Sequence, residues 1–138
     1  MNEQTTEQLV KQVRKLKHMV GGIAKNDKNT FHKYRFRGVD AVMEAVAPAF
    51  AECDLTTEVD IQVTHYDTSG TMVRATAQCT IVLRSLDGGR MVLSGPGEGM
   101  DKSDKAVMKA ASVAYRDTLL RGLQIPFKGV LIDSESEN

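Results

Sequence analysis

The stretch VRATAQCTIVLR, residues 73–84, decides the fold. Val73, Ala75, Ala77, Cys79, Ile81 and Leu83 alternate with Arg74, Thr76, Gln78, Thr80 and Arg84. Successive side chains of an extended chain point to opposite sides, so this period of two predicts a strand with one apolar and one polar face. Upstream, Val59, Ile61 and Val63 alternate with Glu58, Asp60, Gln62 and Thr64, a second half-buried strand, and DTSG at 67–70 turns the chain between the two. Downstream, SLDGG at 85–89 closes a second hairpin into a strand over Arg90–Ser94. Three consecutive strands joined by tight turns predict an antiparallel meander.

Helical periodicity flanks the meander. Leu9, Val13, Leu16 and Val20 recur at three- and four-residue steps, which predicts an amphipathic helix over residues 5–20, stopped by Gly21 and Gly22. A polar loop, AKNDKNT (24–30), follows. Val42, Met43, Val46 and Phe50 form the apolar stripe of a second helix over 39–52, in which Pro48 introduces a kink or marks the last turns. The longest helix is predicted over 103–123, ending at Gly122 and the Ile125-Pro126 pair. The expected fold is therefore α+β: a three-stranded antiparallel meander followed by a helix, preceded by two helices, with the helices packed on one face. A chain of 138 residues makes one domain, taken as 1–132, followed by the acidic tail DSESEN (133–138), expected to be disordered.

Hydrophobic residues are 41% and charged residues 26%, ordinary for a globular protein. No apolar run has the length of a membrane span, and MNEQTTEQLVKQ lacks the apolar core of a signal peptide, so no membrane partner and a cytoplasmic location are expected. Cys53 and Cys79 fit buried free thiols in that compartment. Net charge is zero but unevenly spread: residues 1–37 hold nine Lys/Arg and three acids, and residues 38–70 hold seven acids and no Lys/Arg. A basic side can hold nucleic acid. Alternatively, the blocks neutralise each other within or between protomers.

The segment GPGEGMDKSDK, residues 95–105, suggests a phosphate-holding loop. A Walker A loop needs glycine directly before its lysine, whereas Asp101 precedes Lys102 and Ser103 here. The dinucleotide fingerprint fails as well, because Gly95, Gly97 and Gly99 stand at every second position. On the long helix, at 100° per residue, Lys102, Lys105, Lys109 and Arg116 fall within a sector of about 60°, with Ser112 beside them. Ala106, Ala110, Val113 and Leu120 supply the packing side, and Asp101, Ser103 or Asp104 caps the helix start. A row of cations about 20 Å long suits a polyphosphate backbone better than one nucleotide. Lys and Arg are also the ordinary occupants of a helix's solvent face. In FHKYRFRG (31–38), Lys33, Arg35 and Arg37 alternate with Tyr34 and Phe36, which places cations on one side of an extended chain and aromatics on the other.

The stretch GEGMDKSDKAVMKAASVAYRDTLLRGLQIP closely resembles the signature of the ERF (essential recombination function) family of phage single-strand annealing proteins. Lys105, Lys109, Ser112 and Arg116 stand at that signature's lysine, serine and later basic positions. YRFRGVDAVMEAVAPAFAECDL resembles the family's upstream segment, and together the two motifs cover about residues 34–127. The resemblance implies a β-β-β-α core, assembly into rings or helical filaments, and ATP-independent pairing of complementary strands on single-stranded DNA in a bacterial host cell. A phage exonuclease and a host single-strand-binding protein are the further partners implied. Two departures stand out: the chain ends soon after Ile125-Pro126, and Asp117 occupies a position where a neutral or aromatic residue is more usual.

The expected DNA-binding residues are Lys33, Arg35, Arg37, Arg74, Lys102, Lys105, Lys109, Ser112 and Arg116. Tyr34, Phe36 and Tyr66 are open to two readings, base stacking or core packing. No cofactor, metal or catalytic residue is expected, because extended and aligned strands pair spontaneously. Self-association is expected through the sheet and the charge blocks. Two other classes compete. A metal-dependent nucleic-acid enzyme would use Asp101 and Asp104, but His18, His32 and His65 are scattered and neither cysteine has a histidine at metal spacing. An assembly protein without DNA affinity would use the charge blocks for subunit contacts alone.

Overall fold

The computed structural model describes residues 3–26, 39–103 and 105–124. The elements run α1 (Glu7–Asn26), α2 (Val39–Glu52), β1 (Thr56–Ser69), β2 (Met72–Arg84), β3 (Arg90–Asp101) and α3 (Lys105–Gly122). The strands form one antiparallel sheet in the order β1-β2-β3. Fold class and element order are those predicted.

Ala75, Ala77, Cys79, Ile81 and Leu83 of β2 are buried, as their alternation requires, and α3 packs along the sheet above β2 and β3. Leu9, Val13, Leu16 and Val20 of α1 and Val46, Ala49 and Phe50 of α2 join the same cluster, so the three helices and one sheet face enclose a single core. Each fully buried Leu or Ile in it contributes about 1.5–3 kcal/mol relative to exposure. The two cysteines are free and buried, as expected.

Several boundaries differ from the reading of the sequence. Gly21 lies inside α1, which runs on to Asn26. The helix tolerates the roughly 1 kcal/mol penalty of a glycine because Val20 and Leu16 are fully buried just before it. The bounds of α2, by contrast, are those expected, with Pro48 inside its last turns. β1 is longer than its apolar alternation, and the first turn shrinks to Gly70 and Thr71, with Gly70 at φ +62°. A bulge between Val63 and His65 slips the register, so that Tyr66 pairs with Ala75 and shares the face of Val63. Simple alternation would have put Tyr66 on the opposite face.

The largest correction concerns the glycine-rich segment. It is strand, not loop: Gly95 pairs with Cys79, Gly97 with Ala77 and Gly99 with Ala75. Helix α3 then begins at Lys105, two residues later than predicted.

The N-terminal residues tie the first helix to the second hairpin. The Thr6 hydroxyl accepts from the Leu9 N–H at 3.1 Å, capping α1, and donates to Asp87 at 2.9 Å. Asp87 also accepts from the Ser85 hydroxyl at 2.5 Å and the Gly89 N–H at 3.1 Å. These donors, Ser85 foremost, hold its carboxyl below the usual carboxylate range. Just before the helix, Gln4 forms an isolated antiparallel bridge with Arg90, each N–H bonding the other's carbonyl at 2.7–3.0 Å. The Glu3 carboxylate accepts from the Val92 N–H at 3.1 Å. The start of β3's outer edge is therefore covered.

Candidate nucleic-acid interface

The glycines at every second position of β3 decide where α3 can lie. Gly95, Gly97 and Gly99 share the face under the helix, and α3 presents Ala106, Ala110, Ala114 and Thr118 to them at four-residue steps. A methyl group at Gly99 would stand 2.6 Å from the Ala110 nitrogen and 2.7 Å from the Ala106 oxygen. At Gly97 it would overlap the Ala114 nitrogen and stand 2.7 Å from the Ala114 Cβ. At Gly95 it would meet the Thr118 hydroxyl at 2.8 Å. The glycines thus serve close helix–strand approach and leave no open phosphate cradle. Reading the sequence as a loop misses that role, although the repeat of glycine at period two is its signal.

The helix seated in this trough carries the lysines. Lys105 and Lys109 are exposed and one turn apart on the first two turns of α3, and Ser112, half-buried, follows on the next turn. Lys102 is exposed but precedes the helix. It lies in a turn where Ser103 adopts φ +55° and the Asp101 carboxylate accepts from the Lys102 N–H at 2.7 Å. The helical wheel therefore does not apply to it.

Arg116 departs from the predicted row. It is 4% exposed and its Nε bonds Asp117 at 3.2 Å. The wheel places it beside Lys109, but the second half of α3 is enclosed on more than one side, with Tyr115, Leu119 and Leu120 buried as well. The exposed row stops near Ser112 and is about half the expected length. Arg74 is not brought to the lysines either. It lies on the opposite sheet face from Val73 and Ala75 and pairs with Glu98 at 3.4 Å, as Arg84 on that face pairs with Glu58 at 2.9 Å. Lys33, Tyr34, Arg35, Phe36 and Arg37 lie outside the described residues, as do the polar residues 27–30 and the acidic tail.

Beneath α3 the polar atoms are held neutral near physiological pH. Burial pushes the Cys79 thiol up to about 11, against the opposing effect of the Thr118 hydroxyl, and pushes the Tyr115 hydroxyl up to about 12. Among the described residues no three of His, Cys, Asp and Glu stand together as a metal site requires. No described helix is long and apolar enough to cross a membrane. A second exposed feature was not foreseen. On the face of β1 shared with the core, Val59, Val63 and Tyr66 remain exposed, the last two at 47% and 52%. Tyr66 is thus not a core residue.

Fold and site together define a small α+β domain in which a lysine-bearing helix is locked onto an antiparallel meander. The chain belongs to the ERF superfamily, whose family model matches residues 9–128. Membership of that family suggests a phage recombination and annealing protein. Comparison with curated proteins finds no match.

Proposed function

We infer that this protein binds single-stranded DNA through its phosphates and anneals complementary strands without ATP, as a ring or filament of identical protomers. The observation that carries this reading is the pair Lys105 and Lys109, exposed within the part of the chain matched to the ERF superfamily. Four residues apart on a helix, they are about 6 Å apart along its axis, which is near the spacing of alternate phosphates in a stacked strand, about 3.4 Å per phosphate. Lys102, in the turn before the helix, extends the same end. Backbone contacts of this kind release counterions and leave the base edges free to test a second strand. Lys33, Arg35 and Arg37 add further phosphate contacts in this reading, and Tyr34 and Phe36 stack on bases. A phage exonuclease supplies the single strands, and a host single-strand-binding protein hands them over.

The test replaces Lys105 and Lys109 together with alanine, a substitution that helix propensity favours. Annealing of complementary oligonucleotides without nucleotide should be strongly reduced. The slope of log affinity against log salt should flatten by about 1.4 per protomer, two phosphates at roughly 0.7 each for single strands. Arg121→Ala, exposed in the last turn of α3, should leave both unchanged. Arg116→Ala should instead lower thermal stability, because it strips the buried partner from Asp117. A double lysine variant that anneals at the normal rate with an unchanged salt slope would refute the reading.

A further inference from the structure

We propose that the open edge of β1, over residues 56–63, takes an extended segment of another protein as a fourth strand, one in which apolar residues alternate with Lys or Arg. This surface is separate from the lysines of α3, and the proposal does not rest on their role.

β1 is an edge strand with no strand beside its outer edge among the described residues, and of its 14 residues Ile61 alone is partly covered. Soluble proteins ordinarily protect such an edge with lysine, proline, a bulge or a covering element. β1 contains no lysine, arginine or proline, and its bulge comes late, between Val63 and His65. Ahead of the bulge, residues 56–63 pair without a break with residues 84–77 of β2. Eight residues of regular backbone are thus open on the other side.

An added strand has two faces, and β1 specifies both. On the core side Val59, Ile61 and Val63 stand at alternate positions, Ile61 packed against the core and the two valines exposed. Apolar residues of a fourth strand would extend the core over them. On the opposite face stand Glu58 and Asp60. Arg84 uses only Oε1 of Glu58, and Asp60 has no cation partner among the described residues. Cross-strand neighbours of opposite charge stabilise a sheet and like charges oppose it, so this face selects Lys or Arg. The same carboxylates, with no cation on the strand to offset them, repel a nucleic-acid backbone, and a second β1 would bring acids alongside acids. Main-chain bonds then supply affinity, and the two sets of alternate side chains supply selectivity. Lys109 stands over the far edge of the sheet: a methyl group on Gly99 of β3 would be 2.8 Å from its Cβ. A protein segment on β1 and a ligand on the lysines can therefore be held at once.

The test adds a fluorescein-labelled synthetic peptide, Val-Thr-Val-Lys-Val-Lys-Val-Thr, to the full chain, beside a second peptide with Glu in place of both Lys. Fluorescence anisotropy should show the Lys peptide binding and the Glu peptide at least about tenfold weaker. Asp60→Lys, checked for folding by circular dichroism, should reverse that order, and Asp60→Asn should narrow the gap if the first variant does not fold. The double variant Lys105→Ala with Lys109→Ala should bind the Lys peptide as the wild type does, which separates this proposal from the annealing reading. Hydrogen exchange followed by mass spectrometry should show residues 56–63 slowed by the Lys peptide. A Lys peptide that does not bind, or binds no better than the Glu peptide, would overturn the proposal. So would folded Asp60 variants with the wild-type preference, or slowed exchange confined to other residues. Slowing of residues 56–63 that is present without peptide and lost on dilution would make a second copy the occupant. Slowing there by a single-stranded oligonucleotide would make it nucleic acid, and either result would also overturn the proposal.

Discussion

Replacing Gly97 with alanine should destabilise this protein, although glycine within a strand is ordinarily a weakness. Removing backbone freedom from the unfolded chain gains about 0.4–1 kcal/mol where the native conformation accepts a side chain. Gly97 has no positive φ, so its backbone accepts one. Space is what forbids it. The added methyl would overlap the backbone nitrogen of Ala114, and a backbone atom cannot turn aside as the end of a flexible side chain can. Overpacking of this kind costs about 1–3 kcal/mol or more, and the rigid neighbour puts Gly97 at the upper end. The net loss should be about 2–3 kcal/mol. With unfolding entropy near 2.1 cal/mol/K per residue, 138 residues convert each kcal/mol into about 3 °C, so the melting temperature should fall by about 6–9 °C. Gly21, inside α1, is the internal contrast, because a methyl added there would meet nothing within 4 Å. Its alanine variant should gain up to about 1 kcal/mol, or about 3 °C. Ala114→Gly added to Gly97→Ala should recover only part of the loss, because it removes the Cβ contact and leaves the backbone one. Thermal and urea unfolding followed by circular dichroism measure all three variants. A Gly97→Ala protein as stable as the wild type would show that α3 is not held at the distance described.

Two further outcomes follow from the ionisable groups. The Asp87 carboxyl is depressed below its ordinary value of 3.8 by the donors around it, so its stabilisation is fully present above that pH and is lost as pH falls through the lower folded value. The stability difference between wild type and Asp87→Asn should therefore shrink below pH 3.8 in acid titrations followed by urea unfolding, and a difference that grows there would contradict the hydrogen-bond assignment. Cys79, raised to about 11 and buried, should react with a thiol reagent at pH 8 at least about a hundredfold slower in the folded than in the urea-unfolded chain. Labelling located by peptide mass mapping at an unchanged rate would mean that α3 does not cover it.

What could be read from the sequence was what depends on local periodicity. The alternation from Val73 to Leu83 yields β2 and its buried face, SLDGG yields the second hairpin, and the stripe from Leu9 to Val20 yields the buried side of α1. What could not be read depends on a neighbour. Gly95, Gly97 and Gly99 look like a loop until Ala106, Ala110 and Ala114 are seen lying in the trough they form. Arg116 looks like a surface cation because a helical wheel assumes one buried side, whereas the end of α3 is enclosed on several. Tyr66 changes face at a one-residue bulge that no composition signals. Lys105 and Lys109 keep their expected exposure on the early turns of α3, whose buried side, Ala106 and Ala110, faces the glycines of β3.

The cover over the start of β3 has a consequence for synthesis. Residues 3 and 4 leave the ribosome long before residues 90–92, whose edge they occupy. A growing chain folds with its N-terminal part already available, at a few to about twenty residues per second. The unpaired groups at the start of β3 thus meet their cover as soon as the second hairpin forms. An edge that would otherwise attract another nascent chain on the same message is occupied from within, by a segment that has been waiting several seconds.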